Sequence, residues 1–208
     1  MRTNFYVDGF NLYYGCLKRS PYRWLDLFAL CQNLMPKHEV HRVRYFSALI
    51  SDRPSDPGQS ARQQAYLRAL ERNPKVSVHL GHYLSHTIMM PVASPVEGSP
   101  AFVKVIKTEE KGSDVNIASY LLLDGFKKDY EQAVVISNDS DLKTPIELVR
   151  KELGLPVGVV FPTLNSGRQP SQTLVSVATF IREIRKNTLR DSQFPTVIEG
   201  QIHKPVEW

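Results

Sequence analysis

The sequence predicts an α/β fold built around a mostly parallel sheet. Short runs of apolar and β-branched residues, typical of strands buried on both faces, alternate with segments that carry apolar residues at helical spacing. Three of these runs, residues 4–7, 133–136 and 157–161, end in small polar or turn-forming residues. Because alternating strands and helices are typical of sheets covered on both faces, the pattern indicates a doubly wound α/β domain.

The predicted elements follow one another in a regular order. Strands are predicted at residues 4–7, 40–49, 76–80, 133–136 and 157–161, and helices at residues 12–17, 24–34, 61–71, 113–126, 142–153 and 172–184. Residues 89–107 alternate like an exposed hairpin inserted against the main sheet. The domain is expected to span residues 1–187, followed by a tail, residues 188–208, that packs on the surface or on another subunit.

Length and composition are those of a soluble globular protein. The chain has 208 residues, of which 42% are hydrophobic and 23% charged, so one α/β domain can bury a full core. No apolar run approaches the ~20 residues of a membrane span, and the N-terminus enters a strand without a secretory signal. Cys16 and Cys31 lack metal-site spacing and are expected to be reduced core thiols. These features predict a cytoplasmic protein.

The most informative stretch follows the predicted strand at residues 133–136. It places Ser137, Asp139 and Asp141 at the carboxyl end of a buried strand, which is where ligands bind in open α/β sheets. Two neighbouring carboxylates repel each other unless a proton or a cation lies between them, and their oxygen atoms suit Mg²⁺ or Mn²⁺. The alternative, that Asp141 or Ser140 only caps the next helix, stays open at this stage.

Two further acids occupy comparable positions. Asp8 ends the first strand, where Gly9 allows a sharp turn, and Asp114 lies at the start of the helix predicted from residue 113. Asn11 either orients Asp8 or caps the first helix, and Asp114 either points into the same cleft or complements the helix dipole. The sequence thus offers four candidate carboxylates: Asp8, Asp114, Asp139 and Asp141.

Net charge suggests a polyanionic partner for this acidic pocket. The formal charge is +5, and lysine and arginine hold phosphates while carboxylates hold a metal. Lys107, Lys111, Arg53 and Arg168 are the candidates for holding a substrate backbone, because they flank Asp114 or lie in loops that follow strand ends.

Three motifs, in this order, carry a family resemblance: residues 6–11 (YVDGFN), 111–115 (KGSDV) and 137–141 (SNDSD). Over residues 4–184 the chain resembles the NYN family, a branch of the PIN-like metal-dependent ribonucleases. The resemblance implies a Rossmann-like three-layer α/β/α sandwich and an Mg²⁺ or Mn²⁺ site that cuts RNA. It implies that Asp8, Asp114, Asp139 and Asp141 are the metal ligands, and that Asn11 and Ser137 are the polar residues of the motifs. Many members carry a further acid where this chain has Tyr120, so the number of metal ions is left open.

The hypothesis is therefore hydrolysis of RNA phosphodiester bonds at a cluster of aspartates. Two alternatives remain: a non-catalytic NYN module that binds RNA or protein, and a different enzyme that acts on a small molecule, since fold does not fix chemistry. The sequence lacks a Gly-rich dinucleotide fingerprint. Phe10 stands where a phosphatase with an aspartyl nucleophile would carry its second acid. Homo-oligomerisation is left open, and no membrane partner is expected.

Overall fold

A seven-stranded sheet forms the centre of the computed structural model, which describes residues 1–96 and 98–208. Its strands are β1 (Arg2–Asp8), β2 (Glu39–Ala48), β3 (Val76–Pro91), β4 (Phe102–Lys111), β5 (Gln132–Ile136), β6 (Val157–Phe161) and β7 (Phe180–Glu183). The spatial order is β4-β3-β2-β1-β5-β6-β7, with β1 in the middle. All neighbours are parallel except β3 and β4, which confirms the predicted sheet.

Helices connect the strands. They are α1 (Gly9–Leu12), which continues as a π-helical turn (Tyr13–Leu17), α2 (Leu27–Leu34), α3 (Gln59–Leu70), α4 (Ser113–Phe126), α5 (Lys143–Glu152), α6 (Gln172–Val175) and α7 (Lys186–Arg190). A 3₁₀ turn, Ser140–Leu142, precedes α5, and two short strands, β8 (Val197–Ile198) and β9 (Ile202–His203), form a separate hairpin. Within the described residues, none of these helices combines the length and apolar character needed to cross a bilayer.

The sheet separates two hydrophobic cores, as alternation along β1 requires. Successive side chains of a strand point to opposite faces, so Phe5 and Val7 pack into one core and Tyr6 into the other. The first core includes apolar residues of α1, α2, α3 and α7, and the second includes residues of α4, α5 and α6. The three-layer α/β/α arrangement is therefore confirmed.

The inserted hairpin is longer than predicted. Strand β3 does not end at Leu80: it pairs with β2 as far as Gly81, opposite Ala48, and then pairs with β4 from His82 to Pro91. The predicted hairpin at residues 89–107 is thus the outer part of a ribbon that grows out of the main sheet. Residue 97, which falls within that prediction, lies outside the described residues.

The helix predicted at residues 172–184 is wrong. Only α6 is helical there, and Phe180–Glu183 forms β7 beside β6. Gly158 explains the difference, because a Cβ at this position would lie 2.1 Å from the ring of Phe180. The missing side chain lets the ring of Phe180 pack against β6 at Gly158, and the amide of Thr179 donates to the carbonyl of Val157 at 2.7 Å. A helical pattern in the sequence is overridden here by tertiary pairing.

The sequence also suggests that Asp124, near the end of α4, is a surface residue, and this too is wrong. Asp124 is 3% exposed. It accepts hydrogen bonds from Arg44 at 2.7 and 2.8 Å and from the hydroxyl of Tyr6 at 2.8 Å. Buried charges need such paired partners, and strands β1 and β2 supply them through Tyr6 and Arg44.

The last residues pack on the first core. Leu189 is fully buried and Ile202 is 6% exposed. Trp208 lies edge-on to Trp24 and Tyr66, with ring centroids 6.2 and 5.8 Å apart. Cys16 and Cys31 are buried and free, as predicted. The helix predicted from residue 24 begins at Leu27, because the side chain of Asp26 caps it there.

Candidate functional site

Asp8 and Ser137 lie at the carboxyl edge of the sheet, on its two central strands. Val7 and Ile136 are partners in the parallel pair of β1 and β5, so the residues that follow them leave the sheet side by side. The strand order also reverses between these two strands, since β2 and β3 lie on one side of β1 and β5 to β7 on the other. This reversal is the topological switch point, where ligands bind in such folds.

Asp8 is held by three hydrogen bonds. The backbone N–H of Asn11 donates to Oδ1 at 2.9 Å, and its side-chain Nδ2 donates to Oδ2 at 2.6 Å. The hydroxyl of Ser137 donates to the same Oδ2 at 2.8 Å. Asp8 therefore caps α1 and is also held by Ser137, the residue that follows β5. The same carboxylate can thus cap the helix and be aligned at the site. Burial raises the pKa of Asp8, although these hydrogen bonds act in the opposite direction.

Gly9 allows this arrangement through close packing. Its φ is not positive, so the turn expected from the sequence is not what requires glycine. A Cβ here would lie 2.6 Å from the carbonyl oxygen of Phe46 and 2.7 Å from the ring of Tyr45. Glycine thus lets α1 start directly against β2.

Ser137 links Asp8 to the second motif. The backbone N–H of Asp139 donates to the hydroxyl of Ser137 at 3.0 Å, and Oδ1 of Asp139 accepts from the amide of Asp141 at 3.0 Å. Asp139 is thus the cap of the 3₁₀ turn, whereas the capping alternative named Asp141 or Ser140. Among the described residues, Oδ2 of Asp139 and the carboxylates of Asp114 and Asp141 accept no hydrogen bond, which leaves oxygen atoms available at this edge.

Asp114 lies in the first turn of α4 and is electrostatically coupled to the other acids. Its pKa is raised to about 6, first by loss of hydration and then by the charges of Asp8, Asp139, Glu110 and Asp141. Glu110 is a carboxylate that the sequence analysis missed. It accepts from the amide and the hydroxyl of Ser113 at 3.1 and 2.9 Å, and its position four residues before Asp114 was the available signal.

The predicted basic residues do not gather at one place. Lys107 and Lys111 both pair with Glu109 on the ribbon, at 2.7 and 3.4 Å. Arg168 lines an open cavity of about 400 Å³ together with Asn11, Asn138 and Lys18. Arg53 instead lines a second cavity, of about 260 Å³, on the other side of Phe10.

This second cavity was not predicted. It lies beside α1 and is bounded by residues of β2, the 50–63 segment and the C-terminal Trp208. Its walls are rich in tyrosine and arginine. Gly9 and Phe10 belong to its lining, so it begins one residue after Asp8 along the chain. The residues that form it are scattered over the sequence, and no local pattern connects them.

The comparison with protein families is decisive at this point. The model of the NYN domain matches residues 2–184. This chain belongs to the NYN family. The three motifs that carry the resemblance all fall at the carboxyl edge of this NYN sheet.

Two known proteins are similar over most of the NYN chain. The 6-hydroxy-3-succinoylpyridine 3-monooxygenase HspA of Pseudomonas putida is 31% identical over 235 residues, an alignment that covers 100% of this chain and 75% of HspA. A crystal structure of a Vibrio parahaemolyticus protein of unknown function is 20% identical, with a TM-score of 0.55, and the match covers 93% of this chain and 96% of that one. The latter likeness supports the fold alone.

The donor atoms at the NYN site match a hard cation in chemistry. The available ligands are carboxylate oxygens, which Mg²⁺ and Mn²⁺ prefer, and Asp114 experiences the repulsion that a cation would relieve. Within residues 1–96 and 98–208, however, no three acid, histidine or cysteine side chains lie close enough to hold one ion. Metal binding would therefore require side chains to rotate. Asp114 and Asp141 are exposed, so they have room to do so.

Tyr120, the departure from the family pattern, belongs to another cluster. Its ring lies 4.2 Å from the ring of His79 and 4.4 Å from the guanidinium of Arg44. It therefore covers the buried Arg44–Asp124 pair. It supplies no ligand in place of the further acid that many NYN members carry there.

Proposed function

We propose that this NYN protein hydrolyses phosphodiester bonds of RNA with the help of Mg²⁺ or Mn²⁺. The observation that carries the proposal is that Asp114 lies near enough to Asp8 and Asp139, at the switch point of the sheet, for their charges to act on it. Loss of hydration first, and then these charges, raise its pKa to about 6. Perturbed acids at such an edge are typical of catalytic sites. The family, whose members resemble metal-dependent ribonucleases, makes RNA the substrate class to test first.

The four aspartates would hold the cation. When bound, the ion polarises the phosphoryl group and lowers the pKa of coordinated water. Asp8 gives one oriented carboxylate, because Asn11 and Ser137 fix both of its oxygens. Asp139 is linked to Asp8 through Ser137 and adds its free Oδ2.

Where the ion leaves Asp114 free, this carboxylate is the candidate general base. A pKa near neutrality lets a carboxylate accept a proton while remaining mostly deprotonated at pH 7. In the reaction, a water oxygen bonds to phosphorus, a water proton passes to the carboxylate, and the bond to the leaving oxygen breaks. That leaving oxygen takes up a proton from solvent.

Arg168 and Lys18 are placed to hold the RNA backbone. Both line the open cavity that also includes Asn11, so a strand lying there would reach the acids. Cations that neutralise phosphates supply most of the non-specific affinity for nucleic acids. Lys107 and Lys111 already pair with Glu109, and we assign them a smaller share of the contacts.

The test is cleavage of labelled single-stranded and structured RNAs with Mg²⁺, Mn²⁺ or EDTA. Asp139→Asn is expected to reduce the rate by orders of magnitude. Glu147→Gln, which removes a partly exposed acid of α5 paired with Lys151, is the matched control and should cleave normally. Binding of Mn²⁺, measured by calorimetry, should weaken in Asp139→Asn alone. Full metal-dependent cleavage by Asp139→Asn would contradict the proposal.

A second candidate function is oxidation of a small heteroaromatic acid. It is favoured by the relative from Pseudomonas putida, which aligns with the whole chain and is named a monooxygenase of 6-hydroxy-3-succinoylpyridine. Such a reaction inserts one atom of O₂ and reduces the other to water with two electrons from a donor. Oxygen uptake with 6-hydroxy-3-succinoylpyridine and NADH or NADPH tests it, and a lack of substrate-dependent uptake would remove this candidate.

A further inference from the structure

The cavity beside α1 has the shape and position of a ligand site. Its volume is about 260 Å³, and it is lined by α1 and its π-helical turn, by Tyr45 of β2, by α3 and by Trp208. Pockets for small molecules are concave, largely aromatic or apolar, and carry a few polar groups that fix orientation. This cavity meets that description and lies next to the acid cluster without including it.

Aromatic side chains form two of its walls. Tyr45 lies at right angles to Tyr66, and Tyr66 is edge-on to Trp208, with centroids 6.2 and 5.8 Å apart. On the opposite side, Phe10 meets Tyr83 edge-to-face at 6.0 Å. Tyr66 is fixed further, because its hydroxyl donates to the carbonyl of Leu25 at 2.8 Å. Such rigid ring surfaces favour a planar aromatic guest.

The charges of the cavity favour an anion. Four lining side chains are cationic, Lys18, Arg23, Arg53 and Arg62, and one, Asp56, is anionic. Arg62 is already paired, with Asp56 and, at 3.6 Å, with Glu207. Among the described residues, neither Arg23 nor Arg53 has a carboxylate within ion-pairing distance. The cavity therefore retains uncompensated positive charge.

Arg23 carries the most specific signal. Its Nε is buried and has no hydrogen-bond partner within the part of the chain that the structure describes. A buried unsatisfied donor costs free energy, and charged donors cost the most. Its Nη2 is occupied by the carbonyl of Glu207, and its guanidinium lies over the ring of Trp208 at 5.9 Å. Nε is closed to solvent, so a ligand acceptor would reach Arg23 through the part of its side chain that lines the cavity.

We infer that this cavity binds a small planar aromatic carboxylate. The ring lies between the tyrosine walls, and the carboxylate accepts from Arg23 and is attracted by Arg53. A free small molecule fits better than a polymer, because Trp208 and the contacts of Glu207 with Arg23 and Arg62 bound the cavity at the C-terminal end. The inference rests on the cavity alone and holds whether the neighbouring acids cleave RNA or not.

The experiment is a titration followed by calorimetry, with benzoate and nicotinate as probes. Cyclohexanecarboxylate removes the aromatic ring, benzamide removes the charge, and adenosine and uridine monophosphate test a nucleotide as the guest. Arg23→Gln and Arg53→Gln test the two arginines that are proposed to attract the carboxylate. Arg68→Gln, an exposed arginine of α3 outside the cavity, is the matched control, and thermal unfolding checks that every variant is folded.

We expect saturable binding of the aromatic carboxylates and weaker binding of both reference compounds. Loss of a charge-assisted hydrogen bond in Arg23→Gln should raise Kd about tenfold or more, with no change in Arg68→Gln. Asp139→Asn should bind the probes normally, which separates this inference from the nuclease proposal. Absence of binding at millimolar concentration, equal Kd values for wild type and Arg23→Gln, or binding of the nucleotides alone would each overturn the inference.

Discussion

The hydroxyl of Ser137 donates to Oδ2 of Asp8 at 2.8 Å, across the junction of the two central strands. The hydroxyl oxygen of Ser137 also accepts a hydrogen bond from the amide of Asp139 at 3.0 Å, so one small side chain aligns acids that are far apart in sequence. Ser137 is fully buried and Asp8 is 2% exposed. In the proposed nuclease, Ser137 is thus a positioning residue, because it acts through Asp8 and Asp139.

Ser137→Ala should slow RNA cleavage while leaving the fold intact. Losing a partner that orients a metal ligand typically costs 10- to 100-fold in activity or metal affinity, and we expect about that range for both. Ser140→Ala is the control, because Ser140 is exposed in the neighbouring 3₁₀ turn and its hydroxyl makes no hydrogen bond within the described residues. If the two variants cleaved RNA and bound Mn²⁺ equally well, Ser137 would have no positioning role.

Asp114→Asn should stabilise the metal-free protein at pH 7. The pKa of Asp114 is raised to about 6 in the fold, so the native state binds a proton more tightly than the unfolded chain. Stability from this group is present at low pH and is lost as the pH rises through about 6. The variant should therefore have a higher melting temperature than wild type at pH 7, and the difference should shrink at pH 5.

Addition of Mn²⁺ separates this electrostatic effect from a packing effect. A cation that binds the native state raises its melting temperature, and it should do so in wild type more than in Asp114→Asn. Glu147→Gln, which changes the partly exposed acid of α5, should follow wild type throughout. Equal pH dependence and equal Mn²⁺ response of wild type and Asp114→Asn would contradict the coupling of Asp114 to the other acids.

Local sequence patterns predicted most of the sheet because its buried strands contain little besides apolar residues. β5 and β6 were located to within one residue. β7 was missed because its residues also fit a helical pattern. Only the packing of Phe180 on Gly158 decides between the two, and that contact joins distant segments.

The candidate site and the neighbouring cavity likewise contain some residues that the sequence predicted and others that it did not. Asp8, Ser137 and Asp139 were predictable because each directly follows a buried strand or belongs to a turn, so sheet topology alone brings them together. Arg23 and Trp208 were not, since the cavity that they line is formed by loops and by the C-terminus. The pairing of Lys107 and Lys111 with Glu109, which lies between them on β4, was not predicted either.

Acidification should destabilise the protein through His79. Burial, together with the nearby Arg44, lowers the pKa of His79 to about 4, below the ~6.5 of an unfolded histidine. The unfolded state then binds a proton that the native state does not, so stability falls as the pH drops from about 6.5 towards 4. In His79→Gln the urea midpoint should decline less between pH 7 and pH 5. His86→Gln, an exposed histidine of the same strand, should behave like wild type.

Breaking the Arg44–Asp124 pair should destabilise the fold strongly. The two side chains are 12% and 4% exposed, and removing one partner of a buried pair leaves an uncompensated charge that costs about 3 to 5 kcal/mol. Arg44→Met is therefore expected to lose that much free energy of unfolding in urea. Lys151→Met, which breaks an exposed pair with Glu147 at 2.6 Å, should lose about 0.5 kcal/mol or less. A similar small loss in both variants would mean that water or the hydroxyl of Tyr6 compensates Asp124 once Arg44 is gone. Because Arg44 lies away from the free carboxylates of Asp114 and Asp139, an Arg44→Met protein that stays folded should still bind Mn²⁺ as wild type does.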